Sequence, residues 1–533
     1  MNFLKGFFLL QSNSKFKRIY TSCAEKTCKL DNSKFTLTLK RLGIDTYKEA
    51  VVYVRADSPI CKAEGFASQA RIKVCLKNNR SIIATVHTIT SNLLELDEVS
   101  LSNYAWNLLK AKSNEKISLS HMAPLQSMQF IRGKIFNKPL SEQAIDLIIK
   151  DVIAGRLSDI HISAFLTICA DGRLSKDETI YLTRAMAESG DKLNWQTKSL
   201  AVDKHCIGGL PGNRTTPIIV AIVAAFGLMI PKTSSRAVTS SAGTADTMEV
   251  LTDVNLSLKK IKEVVLKENG CVAWGGSIPI SPADDILITV ERALDLDSFG
   301  QLIASVLSKK IAAGSTHIVI DIPVGKTAKI RTLPDAEHLA KLFKIVADAL
   351  GVNVKVILTD GSQPVGFGIG PALEARDIMA VLKNESSAPS DLRERALELA
   401  GHVLEFSSKV PKNHGKNIAT EILQSGKALK KFIAICNAQG KLRKIKFAKF
   451  QKEYLAVKDG YVKDVDNRKI ARLAKLAGAP YAKAAGIDLH KKIGDKVNIN
   501  DKILTLHADS EGELLYAWNF LTTEANIIEI NDE

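Results

Sequence analysis

The sequence predicts a multidomain α/β protein: a helical domain and an α/β domain, preceded by a β-rich N-terminal domain and followed by a small β-rich (α+β) C-terminal domain. Three observations carry this. Short β-branched runs fill the segment before residue 118, Ser-capped amphipathic runs follow it, and apolar strand-like runs alternate with helical ones from residue 201. With 533 residues, 46% of them hydrophobic and 24% charged, the chain has ordinary globular composition and room for several domains of roughly 100 to 200 residues each.

Residues 1–33 lack periodicity and are rich in Lys, Ser and Asn, so they read as an extension. Phe3 to Leu10 has the apolar bias of a signal peptide, but Lys5 interrupts it and no small-x-small cleavage site precedes Lys15, so export is not expected. Between residues 34 and 118 the runs Phe35–Leu39, Ala50–Arg55 and Ile82–His87 read as strands. Residues 119–200 read as helices at Ser141–Ala154, Ser158–Ala170 and Ser175–Ser189, each opened by a capping Ser, with a capping box at Ser175 and Glu178. Residues 201–435 hold candidate strands at Leu228–Pro231, Cys271–Trp274 and His317–Ile322, and candidate helices at Thr216–Phe226, Ser298–Ala313 and Asp335–Leu350. From 436 to 533 the run Ile493–Leu506 reads as a small β module. Its hammerhead-like pattern lacks an attachment Lys in a hairpin context, so no carrier role is expected.

Composition narrows function further. No apolar run reaches the ~18 residues that span a bilayer, because Gly227 interrupts Pro217–Ile230, so no membrane partner is expected. The eight cysteines are scattered, with no CxxC and no Cys/His cluster at zinc spacing, which suits a reducing, cytoplasmic compartment and no metal site. The net charge of +16 is spread over the first fifty residues and a Lys-rich stretch from Lys409 to Lys452. Such runs read as solvated faces, so a nucleic-acid partner is not expected.

The informative segment is Asp203-Lys-His-Cys-Ile-Gly-Gly-Leu-Pro-Gly-Asn-Arg-Thr-Thr-Pro217. Thr215 or Thr216 suits an N-cap, Pro217 the first turn and Gly227 the C′ position, so Gly208, Gly209 and Gly212 are delivered to a helix N-terminus. Amides there, with Lys204, make an anion site for which inorganic phosphate is the obvious guest. A second loop, Lys232 to Asp246, packs hydroxyls and Arg236 after the next strand and would complete a phosphate cage or hold a nucleotide phosphate. On the helix Ser298–Ala313, Ser305 and Lys309 share a face, with Arg292 and Asp297 just upstream; Arg, Ser and Lys together suit a planar base with carbonyl oxygens. Gly325-Lys326-Thr327 is no P-loop, because Ile320 stands where its first Gly should be.

Asp203-Lys-His-Cys-Ile-Gly-Gly, the Ser-Ser-Arg loop with Gly243-Thr244, and Ser305-Val-Leu-Ser-Lys-Lys310 resemble the thymidine and pyrimidine-nucleoside phosphorylase family from about Leu119 onward. The segment 34–118 resembles the family's long branch, which includes AMP phosphorylases. The resemblance implies a cleft between helical and α/β domains and a homodimer through the helical one. It assigns Lys204, Thr216, Ser234 and Thr244 to phosphate, and His205, Arg292, Ser305 and Lys309 to the base. Gly208 joins the phosphate set from the loop reading. The AMP-phosphorylase branch adds nucleotide contacts at Gly209, Ser235, Arg236, Ala237, Val238, Thr239, Ser240 and Lys329, and matches Asp297 to the proton donor.

His205, Arg292 and Lys309 are then the expected cationic donors to the leaving base. Cys206 stands where the shorter enzymes have a phosphate-binding Ser, and Arg292 is two residues closer to Ser305 than in them. The implied activity is thymidine phosphorylase, with a nucleoside 5′-monophosphate phosphorylase second and a basic nucleic-acid-binding protein on an inactive phosphorylase fold as a remote third. No metal or organic cofactor is implied, since inorganic phosphate is a substrate. Lys204→Ala is expected to abolish turnover with the fold intact.

Overall fold

The computed structural model describes residues 36–78, 80–195, 200–237, 240–296 and 298–531. The extension 1–33 and the site candidates Val238, Thr239 and Asp297 lie outside them. The chain divides into two compact units: one runs to Arg173 and includes Pro282–Leu296, the other takes Leu174–Ser281 and Asp297–Glu533.

In the first unit, β1 (Leu37–Leu39), β2 (Val51–Arg55), β3 (Arg71–Leu76), β4 (Ser81–Ile89), β5 (Glu98–Leu101) and β6 (Lys116–His121) close a barrel in the order β1-β5-β2-β4-β3-β6. Leu39, Val52, Val54, Ile72, Val74, Ala84, Val86 and Val99 are fully buried. Their alternation fills the interior, and closure leaves no strand edge to pair with another chain. The last strand runs past residue 118, so the barrel takes residues that sequence reading assigned to the helical domain. The helices Gln126–Ile135, Glu142–Ile153 and Asp159–Ile168 follow, the second capped by the Ser141 hydroxyl.

The helix Pro282–Leu294 belongs with this unit, packing on Glu142–Ile153 and Asp159–Ile168. Sequence reading placed it in the α/β domain. Periodicity reveals that Leu287 and Val290 form a buried face, not which layer covers it.

The second unit opens with Lys176–Glu188, whose Ser175–Glu178 capping box forms as expected. Its centre is parallel: β7 (Val202–Cys206), β8 (Ile230–Ser234), β9 (Gly270–Trp274), β10 (His317–Val324) and β11 (Asn353–Asp360). The order β11-β10-β7 is joined to β8-β9 by a bridge between Ala201 and Met229. Strand β8 starts at Ile230 rather than Leu228, because Met229 is spent on that bridge.

The helix Thr215–Phe226 has ten consecutive buried residues, Thr215 to Ala224, and packs on the helices Ser390–Leu404 and Lys427–Gln439. A helix that is apolar all round needs partners on every side. The last of these helices spans residue 436, so the boundary expected there falls inside a helix.

Two small antiparallel sheets end the chain. One orders β12 (Gly368–Ile369), β15 (Gly486–Leu489), β17 (Lys502–Ala508) and β13 (Phe450–Leu455); the other orders β16 (Lys496–Val497), β14 (Gly460–Val465) and β18 (Ile528–Asn531). No helix of the described residues is long and apolar enough to cross a membrane.

Candidate active site

Parallel strands carry their loops to one end, and β7 ends in Asp203-Lys204-His205-Cys206 just before the glycine loop. Thr215 is the first helical residue, preceded by Arg214 without any side-chain cap, so neither threonine is the N-cap. Pro217 has no N–H and the Arg214 amide donates to the Gly212 carbonyl at 2.7 Å, so the amides of Thr215 and Thr216 lead the helix without a capping side chain. Gly209 has φ +81° and leaves no room for a Cβ against the backbone of Lys329. Gly212, at φ +70°, is equally constrained by the Val365 carbonyl.

At the start of this helix, through Thr215, a buried charge cluster is attached. Lys204 Nζ donates to Thr215 Oγ1 at 2.9 Å and pairs with Asp321 at 3.2 Å. Asp321 also accepts from Thr359 Oγ1 at 2.7 Å. Asp203 pairs with Lys310 at 2.9 Å and Lys232 at 3.4 Å, and both amines donate to the Thr233 carbonyl. None of these five charged side chains is more than 4% exposed. Three amines thus face two carboxylates away from water.

Burial pushes the Lys232 amine well below its usual range; Asp203 opposes the shift and Lys310 adds to it. Burial of Asp321 favours its acid form, but Lys204 and Thr359 outweigh it and hold the carboxyl below the usual carboxylate range. A bound anion beside the cluster would favour the charged form of Lys232 and so oppose its shift.

His205 is partly buried. Burial first, then the charges of Lys310, Lys232, Lys309 and Lys204, push its imidazole well below 6.5. It is a neutral ring at neutral pH, not the cationic donor the sequence suggested. Cys206 receives a hydrogen bond from Asn213 Nδ2 at 3.4 Å, and burial pushes its thiol up to about 12, so it stays a thiol.

The helix Phe299–Ala312 separates its polar residues by face. Ser305 and Lys309 are partly exposed, one turn apart, while Ser308 and Lys310 are buried. Arg292 is exposed at the end of Pro282–Leu294, in the other unit.

The second loop contributes unevenly. Ser234 is buried, and its hydroxyl has no hydrogen-bond partner among the described residues. Thr216 is 7% exposed at the helix start, and Thr244 opens the helix Thr244–Leu251. Ser235 is exposed, and Ser240 donates to the Ala242 carbonyl, closing the loop's own turn.

Arg236 turns elsewhere: it grips Glu249 with both terminal nitrogens at 2.7 and 2.6 Å, reaches Asp246 at 3.1 Å and covers the Trp274 ring. The amide of Ala237 donates to Asp246 at 2.7 Å. Both were expected on nucleotide; here the Arg236 guanidinium and the Ala237 amide are engaged within the loop. Arg214 is likewise committed, to Glu374 at 2.5 Å and to the Ala242 carbonyl.

Sequence reading missed Lys232, Lys310, Asp203 and Asp321 as a unit. The available signal was Asp321, an acid inside the apolar run His317–Ile322, since a buried carboxylate in a central strand requires a cation.

Family models match in three places: "Glycosyl transferase family, helical bundle domain" at residues 128–190, "Glycosyl transferase family, a/b domain" at 198–429, and "Pyrimidine nucleoside phosphorylase C-terminal domain" at 461–527. A Legionella pneumophila (strain Paris) protein is 57% identical over 492 residues, covering 92% of this chain and 95% of its own. A Hahella chejuensis (strain KCTC 2396) protein is 52% identical over 497 residues, covering 93% and 98%. Both bear the name "Putative thymidine phosphorylase".

Among solved structures, anthranilate phosphoribosyltransferase (TrpD) from Thermus thermophilus is similar in fold. It has a TM-score of 0.50 at 19% identity, covering 58% of this chain and 98% of that one. With the three domain models in family order and relatives this similar over nearly the whole length, the chain belongs to the pyrimidine-nucleoside phosphorylase family of pentosyltransferases.

Proposed function

We propose that the protein catalyses the reversible phosphorolysis of thymidine to thymine and 2-deoxy-α-D-ribose 1-phosphate. Phosphate binds at the N-terminus of Thr215–Phe226, with Lys204, Gly208, Gly209, Thr216, Ser234 and Thr244 around it. A phosphate oxygen attacks C1′ as the bond from C1′ to the base nitrogen breaks. The electron pair leaves with the base, which takes up one proton. In this reading His205 and Ser305 act as neutral hydrogen-bond donors to the base oxygens and Lys309 as the cation, so they act on charge that develops only as the bond breaks.

The observation that carries this reading is the buried cluster of Lys204, Lys232 and Lys310 around two carboxylates, with Lys204 bonded to Thr215 at the start of the anion helix. A bound anion favours the charged form of Lys232, which burial disfavours; a neutral ligand does not.

A free nucleoside is favoured over a 5′-monophosphate because Arg214 and Arg236, two cations a 5′-phosphate could use, are already held by Glu374 and Glu249. Recruiting either would uncover a carboxylate. Phosphate-dependent base release from thymidine, uridine, AMP and CMP, measured side by side, tests the assignment. Release from thymidine is expected; activity confined to the monophosphates would replace it with a phosphorylase yielding base and ribose 1,5-bisphosphate.

A further inference from the structure

The loop between β8 and the helix Thr244–Leu251 hangs on one carboxylate. Asp246 Oδ2 accepts from the amides of Ala237 at 2.7 Å and Gly243 at 3.0 Å, tying both ends of the loop together. Gly243 fits only because it lacks a side chain, since a Cβ would collide with the backbone of Arg236 and Ala237. The other oxygen of Asp246 takes Arg236, which is gripped in turn by Glu249. From more than two hundred residues away in sequence, Lys483 reaches both acids: Nζ lies 2.9 Å from Glu249 Oε2 and 3.4 Å from Asp246 Oδ1.

Without Lys483, one guanidinium would face two carboxylates. With it, charges balance and neither acid is free to pull Arg236 away. The position of Lys483 is itself fixed: its carbonyl accepts from the Ala372 amide at 3.0 Å, and Gly370 leaves no room for a Cβ against Ala485 and Gly486. The helix beginning there, Pro371–Leu382, carries Glu374, which accepts from Thr247 Oγ1 at 2.7 Å and pairs with Arg214 beside the anion helix.

We propose that Lys483 is a positioning residue for the phosphate loop, holding Ser234 and Thr244 in place through the Arg236–Glu249–Asp246 cluster without touching substrate. The proposal rests on the assignment of that loop to phosphate. A loose loop binds phosphate more weakly while leaving the base side unchanged, because Ser305 and Lys309 stand on a separate helix.

The test is titration calorimetry with inorganic phosphate, together with KM for phosphate and for thymidine. In Lys483→Ala, phosphate affinity should fall about twofold to fivefold, the size expected of a partly exposed ion pair, with KM for thymidine and kcat unchanged. Lys483→Arg should restore affinity, and Lys326→Ala, which removes an exposed pair with Asp464 at 3.2 Å, should leave it unchanged. Lys483→Gln keeps the stem and gives the same reading should the alanine variant fail to fold. Wild-type affinity in Lys483→Ala or Lys483→Gln, or an equal loss in Lys326→Ala, would overturn the proposal while leaving the site assignment standing. A wild-type protein that binds no phosphate would overturn both.

Discussion

Removing Lys204 has two separable consequences. The amine is expected at the phosphate, but it is also half of a buried ion pair with Asp321, at 1% and 0% exposure. Lys204→Ala therefore does more than the sequence suggested: it leaves an uncompensated carboxylate in the core, at a cost of about 3 to 5 kcal/mol. Lys204→Met should melt well below wild type, whereas Lys204→Met combined with Asp321→Asn should recover most of the stability and none of the turnover. Thermal melts with steady-state kinetics check this; recovered turnover in the double variant would show that the amine serves the fold alone. Lys204 was legible because its motif names it. Asp321 was not, because its partner is brought beside it only by the parallel pairing of β7 with β10.

At the scale of elements, the anion helix could be read from Pro217 and Gly227, whose preferences are local, though its N-cap is Arg214 and not a threonine. The second loop could not be apportioned in the same way. Composition reports that an Arg lies among hydroxyls, not whether it faces a ligand or Glu249, thirteen residues on. The grip of Arg236 on Glu249, aided by Lys483, holds that carboxyl down at about 2, against 4.5 for an ordinary Glu.

A carboxyl depressed in the folded state contributes stability that is fully present above its unfolded value and lost as pH falls through the folded one. The clamp should therefore stabilise the protein fully above about pH 4.5 and progressively less from there toward pH 2. Glu249→Gln should melt below wild type at neutral pH, with the gap narrowing as pH drops below 4.5. A gap independent of pH would show that the Glu249 charge is not what holds the loop.

For the whole molecule, the excess of 73 basic over 57 acidic residues first suggests an anionic polymer as partner. Part of that charge has local duties. Lys416 pairs with Glu394 and Glu398, Lys431 with Glu268, and Arg443 with Asp253, all within or against the Lys-rich stretch, while Lys452 lies over the Trp518 ring. Another part is buried at Lys204, Lys232 and Lys310, where Asp203 and Asp321 face it. The α/β class was legible from the alternation of runs; the allegiance of Pro282–Leu294 and the boundary near residue 436 were not, since both depend on which layer covers an apolar face.

The central claim is that inorganic phosphate is the nucleophile at the glycine loop. Following thymidine turnover by phosphorus NMR in the presence of inorganic phosphate tests it most directly. Loss of the phosphate signal should match thymine release mole for mole, with 2-deoxyribose 1-phosphate appearing in its place. Thymine released at an undiminished rate without phosphate, leaving free 2-deoxyribose, would contradict it.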